Sequence, residues 1–187
     1  MDNKGDLQIV LSDIVKILEK LNVPFHITGG LVSSLYGEPR FTQDIDIVIN
    51  ITLKKDSLLI VNQLQDTFYI NEDSILSAIE NQRMFQALHM ETFIKVDFHV
   101  GEAIPGELSR SVTLEILPDI LAPVVSIEDS ILSKLLWIKK GSHKSRQDIE
   151  MMLKLNPNID NEYLDNQSKL LGVINLLNEL KTGGLKH

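Results

Sequence analysis

Residues 27–49 read Ile27-Thr28-Gly29-Gly30-Leu31-Val32-Ser33-Ser34-Leu35-Tyr36-Gly37-Glu38-Pro39-Arg40-Phe41-Thr42-Gln43-Asp44-Ile45-Asp46-Ile47-Val48-Ile49. The pattern is a glycine turn, a short helix, a loop and an apolar strand that carries two carboxylates. Alternate residues of a strand share a face, so Asp44 and Asp46 lie together while Ile45, Ile47 and Ile49 face a core. Their attachment points are about 6.5–7 Å apart at roughly 3.3 Å per residue. Two like charges beside a core are costly unless a cation sits between them. Mg²⁺ carrying a nucleoside triphosphate suits the pattern, because that ion takes one or two protein carboxylates plus phosphate oxygens. Gly29 and Gly30 fit the same chemistry. Without side chains they let backbone N–H groups approach a phosphate, at the positive end of the helix that follows.

A third carboxylate stands in Phe93-Ile94-Lys95-Val96-Asp97-Phe98-His99-Val100. Asp97 is mid-strand and shares its face with Lys95 and His99. Three acids on strand interiors after a phosphate-type turn point to a metal site for phosphoryl chemistry. Asp44 and Asp46 would bridge two Mg²⁺ ions, and Asp97 would complete the one that activates the attacking hydroxyl. His89 and His99 lack a convincing zinc spacing and read as strand residues. Tyr36 and Trp137 read as packing residues rather than base-stacking ones. Arg40 and Thr42, just before the Asp-Ile-Asp strand, are candidates for triphosphate or acceptor contact, with a plain loop role equally open.

Outward from this stretch, residues 7–22 have helical apolar spacing and stop before Pro24. Strands are expected at Pro24 to Thr28 and Asp44 to Ile51, with a short helix from Leu31 to Tyr36 between them. Helices are expected at Leu53 to Leu64 and Ser74 to Asn81. Met84 to Met90 and Thr92 to Val100 read as a hairpin, and Ser111 to Leu117 as a further strand. Pro118 and Pro123 mark a transition to helices at 127–140, 145–155 and 161–180. The fold class is therefore α+β: a small mixed sheet flanked by helices, followed by a C-terminal helical region. The expected division is a core over 1–122 and a helical region over 123–187 that packs on it.

The chain has 187 residues, 43% of them hydrophobic and 24% charged, and no cysteine. That is enough to bury a sizeable interior, and it excludes disulfides and thiolate metal sites. No apolar run is long enough to span a bilayer, and the polar start lacks a signal-peptide core. A cytoplasmic protein is expected. The net charge of −8 argues against indiscriminate nucleic-acid binding. Between Lys134 and Lys154, however, five lysines, Arg146 and His143 face only Asp148 and Glu150. Such a run is either a solvated helical face or a local phosphate contact.

The Gly29-Gly30 turn followed by Asp44-Ile45-Asp46, with Asp97 as a separate third acid, resembles the nucleotidyltransferase superfamily related to DNA polymerase β. The run from Gly37 to Asp44 looks like the branch that contains the AbiEii-type toxins and small nucleotidyltransferases. Gly30 stands where some members place a serine. Residues 127–134 and 146–149 look like that branch's late helical motif, with Lys134 and Asp148 as its lysine and aspartate. A projection at about 100° per residue turns both inward on their helices. They would either pair with each other or face a wet cleft.

The resemblance implies a nucleotidyltransferase fold and a Mg²⁺-dependent enzyme with two ions. It would move NMP from an NTP to an acceptor hydroxyl on a tRNA or RNA end, a protein or a small molecule, and release pyrophosphate. Asp44, Asp46 and Asp97 would hold metal; Gly29, Gly30, Arg40, Thr42, Lys134 and Asp148 would bind nucleotide. Lys134 would approach the triphosphate. Exchanging Asp44 or Asp46 for Asn is expected to abolish transfer and to leave the fold intact or stabilised. An antitoxin partner follows from the resemblance alone. The alternative is a non-catalytic nucleotide-binding or partner-binding module of the same fold.

Overall fold

Alternation along β2 (Asp44–Ile49) and β5 (Lys95–Val100) sets the layout of the molecule. Ile45, Ile47, Ile49, Val96 and Phe98 are fully buried on one face. The opposite face carries Asp44, Asp46, Lys95, Asp97 and His99. The two strands run parallel, with Asp46 directly beside Asp97 and Asp44 beside Lys95. The structure, a computed structural model, describes residues 5–39, 41–51 and 54–182, without the side chains of 54–56.

The remaining strands are β1 (Phe25–Thr28), β3 (Phe68–Tyr69), β4 (Met84–His89), β6 (Val112–Leu117) and β7 (Ile120–Val124). Together they form a seven-stranded mixed sheet in the order β3-β4-β5-β2-β1-β7-β6. β2–β5 and β1–β7 are parallel, and the other pairings are antiparallel. The register of β1 on β2 sets Thr28, the last residue before the glycine turn, against Asp46.

Four helices precede or interleave the central strands: α1 (Asp6–Lys20), α2 (Gly29–Tyr36), α3 (Lys54–Leu64) and α4 (Glu72–Glu80). Along α1, Val10, Leu11, Ile14, Val15 and Leu18 recur at helical spacing and are buried against the sheet core. Each such side chain contributes roughly 1.5–3 kcal/mol on burial. The chain then leaves the helix through Asn22, whose φ of 52° is left-handed, a conformation Asn tolerates.

The last third forms α5 (Ile127–Lys139), α6 (Lys144–Leu155), α7 (Asn161–Leu170) and α8 (Ile174–Lys181). α5 starts cleanly because the Ser126 hydroxyl accepts the Asp129 N–H at 3.1 Å, a cap worth about 1 kcal/mol. These helices share a second apolar core, in which Ile131, Leu132, Leu135, Ile149 and Met152 are buried. Tyr36 packs against both cores, and its hydroxyl donates to the Val125 carbonyl at 2.9 Å. Its packing role is therefore structural, as expected. Among the described residues no helix is long and apolar enough to cross a membrane.

Local expectations fail at four places. The stretch between Pro118 and Pro123 is largely strand β7, not a bare transition. Pro123 has no N–H for a ladder, but β7 meets β1 only from Val124 onward, where Val125 N–H donates to Ile27 at 3.0 Å. The 122/123 division thus falls inside a strand. The helix expected over 161–180 is broken at Gly172, whose φ is 67°, giving α7 and α8. Helix α2 begins at Gly29 and not at Leu31, and the two-residue β3 extends the sheet edge by pairing with β4. The expected start of α3 at Leu53 lies outside the described residues.

One buried polar group makes stability depend on pH. His26, on β1, is fully buried, with Nδ1 2.8 Å from Ser111 Oγ and Nε2 3.9 Å from Glu107 Oε2. Burial pushes its pKa down from 6.5 to about 4, against the pull of Asp129 and Glu102. The unfolded chain therefore binds a proton that the folded one refuses. His26 contributes fully only above pH 6.5, and that contribution is lost as the pH falls from 6.5 towards 4. The loss amounts to roughly 3 kcal/mol at 1.36 kcal/mol per unit. Urea unfolding across this window is expected to show the decline in the wild type and a flatter profile in His26→Gln.

Candidate active site

The carboxylate face of the sheet opens into a cleft of about 560 Å³ whose other wall is the C-terminal bundle. Gly29, Gly30 and Asp46 line it from the sheet side; Ser133, Lys134 and Trp137 of α5 and Asp148 of α6 line it from the other. Its volume is in the range of small-ligand sites.

Gly29 is required twice over. Its φ is 68°, and a Cβ at this position would overlap the Asp46 carboxylate. The backbone N–H of Gly30 bonds to Asp46. The glycine turn thus holds the metal-ligand candidate as well as facing the cleft. A Cβ on Gly30 would meet Thr42 Oγ1 at 2.6 Å, so a side chain here would need Thr42 to move. The Thr42 hydroxyl fills that space and donates to Asp44 Oδ1 at 3.2 Å and to the Asp44 carbonyl at 3.3 Å.

Each acid of the trio has its own protein partners. Asp46 Oδ1 lies 3.4 Å from His99 Nε2. Burial alone raises the Asp46 pKa, but bonding and charge from His99, the Gly30 N–H and Lys95 outweigh it and bring it below the ordinary value. Asp97 is buried, receives Gln86 Nε2 at 3.0 Å, and pairs with Lys95 Nζ at 3.0 Å. Lys95 is held protonated chiefly by its hydrogen bond to Asp97, against some desolvation, with further support from Asp97, Asp44 and Asp46. Its ammonium stands in for a cation among the three acids.

Among the described residues, no three acidic or imidazole groups converge as a ready-made metal cage. The donor set does fit Mg²⁺, which needs only one or two carboxylates when phosphates complete its shell. Asp46 and Asp97 stand side by side, Asp44 is on the same face, and a cation already sits among them.

Lys134 Nζ donates to Asp148 Oδ2 at 2.8 Å, and the pair borders the cleft. Both sequence alternatives, pairing and facing a cleft, describe the same geometry. The basic run divides. Lys140 and Lys144 line the cleft, whereas Arg146 is bonded to Glu179 at 2.8 Å on the bundle. Arg40 lies outside the described residues. His89 is structural: it stacks edge-on against Phe68 at 5.2 Å and accepts the Thr92 N–H at 3.2 Å. His99 joins the site instead of being a plain strand residue. Its alternation with Lys95 and Asp97 was the available signal. Gln86 gave no signal, because it reaches Asp97 only through the register of β4 on β5.

A second trough, beside the first, contains Asp44, Thr42 and Lys95 together with the exposed rings of Phe41 and Phe93. Successive carboxylates of β2 thus face two different openings.

Several solved structures share this architecture. An antigenic nucleotidyltransferase-like protein from Paracoccidioides brasiliensis is 19% identical, with a TM-score of 0.56 over 97% of this chain and 94% of that one. ANT(2'')-Ia, in a crystal structure with adenylyl-2''-tobramycin, is 12% identical, with a TM-score of 0.58 over 88% of this chain and 95% of that one. A putative nucleotidyltransferase from Thermotoga maritima, TM1012, is 19% identical, with a TM-score of 0.50 over 72% of this chain and 88% of that one. At these identities the likeness is one of fold, and the fold is that of a nucleotidyltransferase. No curated protein sequence matches. The family model that matches, over residues 17–167, is the nucleotidyl transferase AbiEii toxin of type IV toxin–antitoxin systems. The chain belongs to that family and is a nucleotidyltransferase enzyme.

Two variants probe the carboxylate geometry directly. Gly29→Ala is expected to lose at least about 1–2 kcal/mol from the left-handed backbone alone and more from the clash with Asp46, measured by urea unfolding. Lys95→Met removes the internal cation. Its melting temperature without divalent ion should fall, and the rise on adding Mn²⁺ should exceed that of the wild type. An unchanged melting temperature in both conditions would show that Lys95 does not compensate the acids.

Proposed function

We propose that the protein is a Mg²⁺-dependent enzyme that transfers NMP from an NTP to an acceptor hydroxyl, releasing pyrophosphate. The observation that carries this reading is the register that sets Asp46 beside Asp97 on parallel strands, with Asp46 facing Lys134 and Asp148 across a cleft that starts at the glycine turn. In the reaction the acceptor oxygen forms a bond to the α-phosphorus. The bond from that phosphorus to the bridging oxygen breaks, and pyrophosphate departs with the electron pair. The acceptor proton passes to Asp97.

Asp44, Asp46 and Asp97 would hold the Mg²⁺, two ions in the fullest arrangement. When bound, the metal neutralises triphosphate charge and polarises the reacting phosphoryl group. The Gly29-Gly30 turn and the ammonium of Lys134 hold the β- and γ-phosphates, with the Gly30 N–H itself kept by Asp46, and Asp148 orients Lys134. His99 and Gly30 fix Asp46, so that little reorganisation is needed on binding. Thr42 flanks the route to the acceptor, which enters along the trough that holds Asp44. The acceptor hydroxyl belongs to a tRNA or RNA end, a protein or a small molecule. Family membership supports an antitoxin as the cellular partner.

The internal pairing of all three acids favours a second reading, a module that binds nucleotide without turning it over. The two separate on one measurement. With each NTP, Mg²⁺ and a cell extract, the enzyme is expected to release pyrophosphate and label an acceptor, and Asp46→Asn to lose at least 100-fold of that rate, in keeping with the loss of an essential electrostatic group. Nucleotide binding without pyrophosphate under any condition would establish the second reading. Because its surroundings favour the Asp46 carboxylate over its neutral form, Asp46→Asn is expected to lower stability slightly. This reverses the stabilisation that like-charge repulsion alone suggests.

A further inference from the structure

Ser130, Lys134 and Trp137 follow one another at steps of four and three residues along α5, with Ser133 beside Lys134 and Lys140 just past the helix end, and all five border the cleft. Such spacing makes a single helical face. The face runs from buried to open. Ser130 and Lys134 are 2% and 9% exposed, whereas Trp137 is 50% exposed. This overturns the sequence expectation that Trp137 is a packing residue. The indole lies one turn beyond Lys134, at the mouth of the cleft, with Lys140 Nζ 5.0 Å from its ring centroid.

What sets this half-exposed indole apart from other exposed apolar side chains is that it lines the cleft. Here it stands one helical turn from the cation assigned to the triphosphate, in the wall of the same cleft. A nucleotide whose phosphates meet Lys134 has one flat aromatic group to offer such a ring, its base. Every base offers a flat π-face that stacks on an aromatic ring, and a neighbouring ammonium strengthens the platform. We propose that Trp137 is the stacking platform for the base of the donor nucleotide, with Lys140 completing that subsite. The proposal rests on the NMP-transfer reading and adds to it where the base sits, with a preference for purines expected because their larger rings cover more of the indole.

Trp137 is the only tryptophan in the chain, so its fluorescence reports this position alone. The experiment titrates the full-length protein with ATP, with UTP and with inorganic tripolyphosphate in the presence of Mg²⁺, following calorimetry and indole emission together. ATP is expected to quench the emission and to bind more tightly than UTP. Trp137→Ala should weaken ATP binding about tenfold while leaving tripolyphosphate affinity unchanged, and Trp137→Phe should recover most of the loss. Circular dichroism shows that each variant is folded. Calorimetric ATP binding without quenching, or an Ala variant that binds ATP as the wild type does, overturns the platform and leaves the transfer reading standing. Absence of any NTP binding to the wild type overturns both.

Discussion

Asp46 and Asp97 are forced side by side by the parallel pairing of β2 with β5, and the rest of the site answers the electrostatic problem this creates. Adjacent carboxylates at half-buried positions repel each other and lose hydration. The chain meets the cost locally. His99 and the Gly30 N–H hold Asp46, Gln86 and Lys95 hold Asp97, and Thr42 holds Asp44. Gly29 must be glycine because the Asp46 carboxylate occupies the space a Cβ would take. Lys95 makes the acid cluster stable without metal, and a divalent ion entering the site would compete with it for Asp97. Such an arrangement keeps the acids ordered before substrate arrives, which is the condition for electrostatic preorganisation.

The C-terminal bundle turns a polar sheet face into a cleft. Its attachment is partly apolar, through Tyr36 and the second core, and partly ionic. Asp129, fully buried, accepts Arg110 Nε at 2.9 Å and the Tyr163 hydroxyl at 2.7 Å. Removing one member of such a buried network leaves an unsatisfied charge, which costs far more than the intact pair contributes. That anchor holds the start of α5, and the position of α5 in turn places Lys134 and Trp137 in the wall of the cleft that the glycine turn also lines. Family membership identifies the chain as a nucleotidyltransferase.

Much of the fold was legible because its signals are local. The alternation of Asp44-Ile45-Asp46-Ile47 is a property of extended backbone, and burial of the isoleucines fixes which face the acids take. The same period places Asp97 with Lys95 and His99. The inward turn of Lys134 and Asp148 is likewise a matter of helical angle. What misled the reading was also local. Pro123 reads as a strand breaker until one sees that β7 meets β1 only from Val124 onward, so its missing N–H costs no ladder bond, and 161–180 reads as one helix unless Gly172 is given its left-handed φ. Trp137 reads as a packing residue, because side-chain hydrophobicity carries no information about which neighbour arrives to cover it.

The sequence by itself determined the elements, the faces on which the acids lie, and the glycine turn that precedes them. These follow from dihedral preferences and periodicities that each segment expresses alone. Tertiary structure alone decided that Asp46 meets Asp97, that Gln86 and Lys95 compensate them, that Lys134 pairs with Asp148, and that Trp137 stands open at the cleft. Each of these depends on strand register or helix packing between distant segments. Those are set by the summed burial of side chains elsewhere in the molecule and not by the residues that meet.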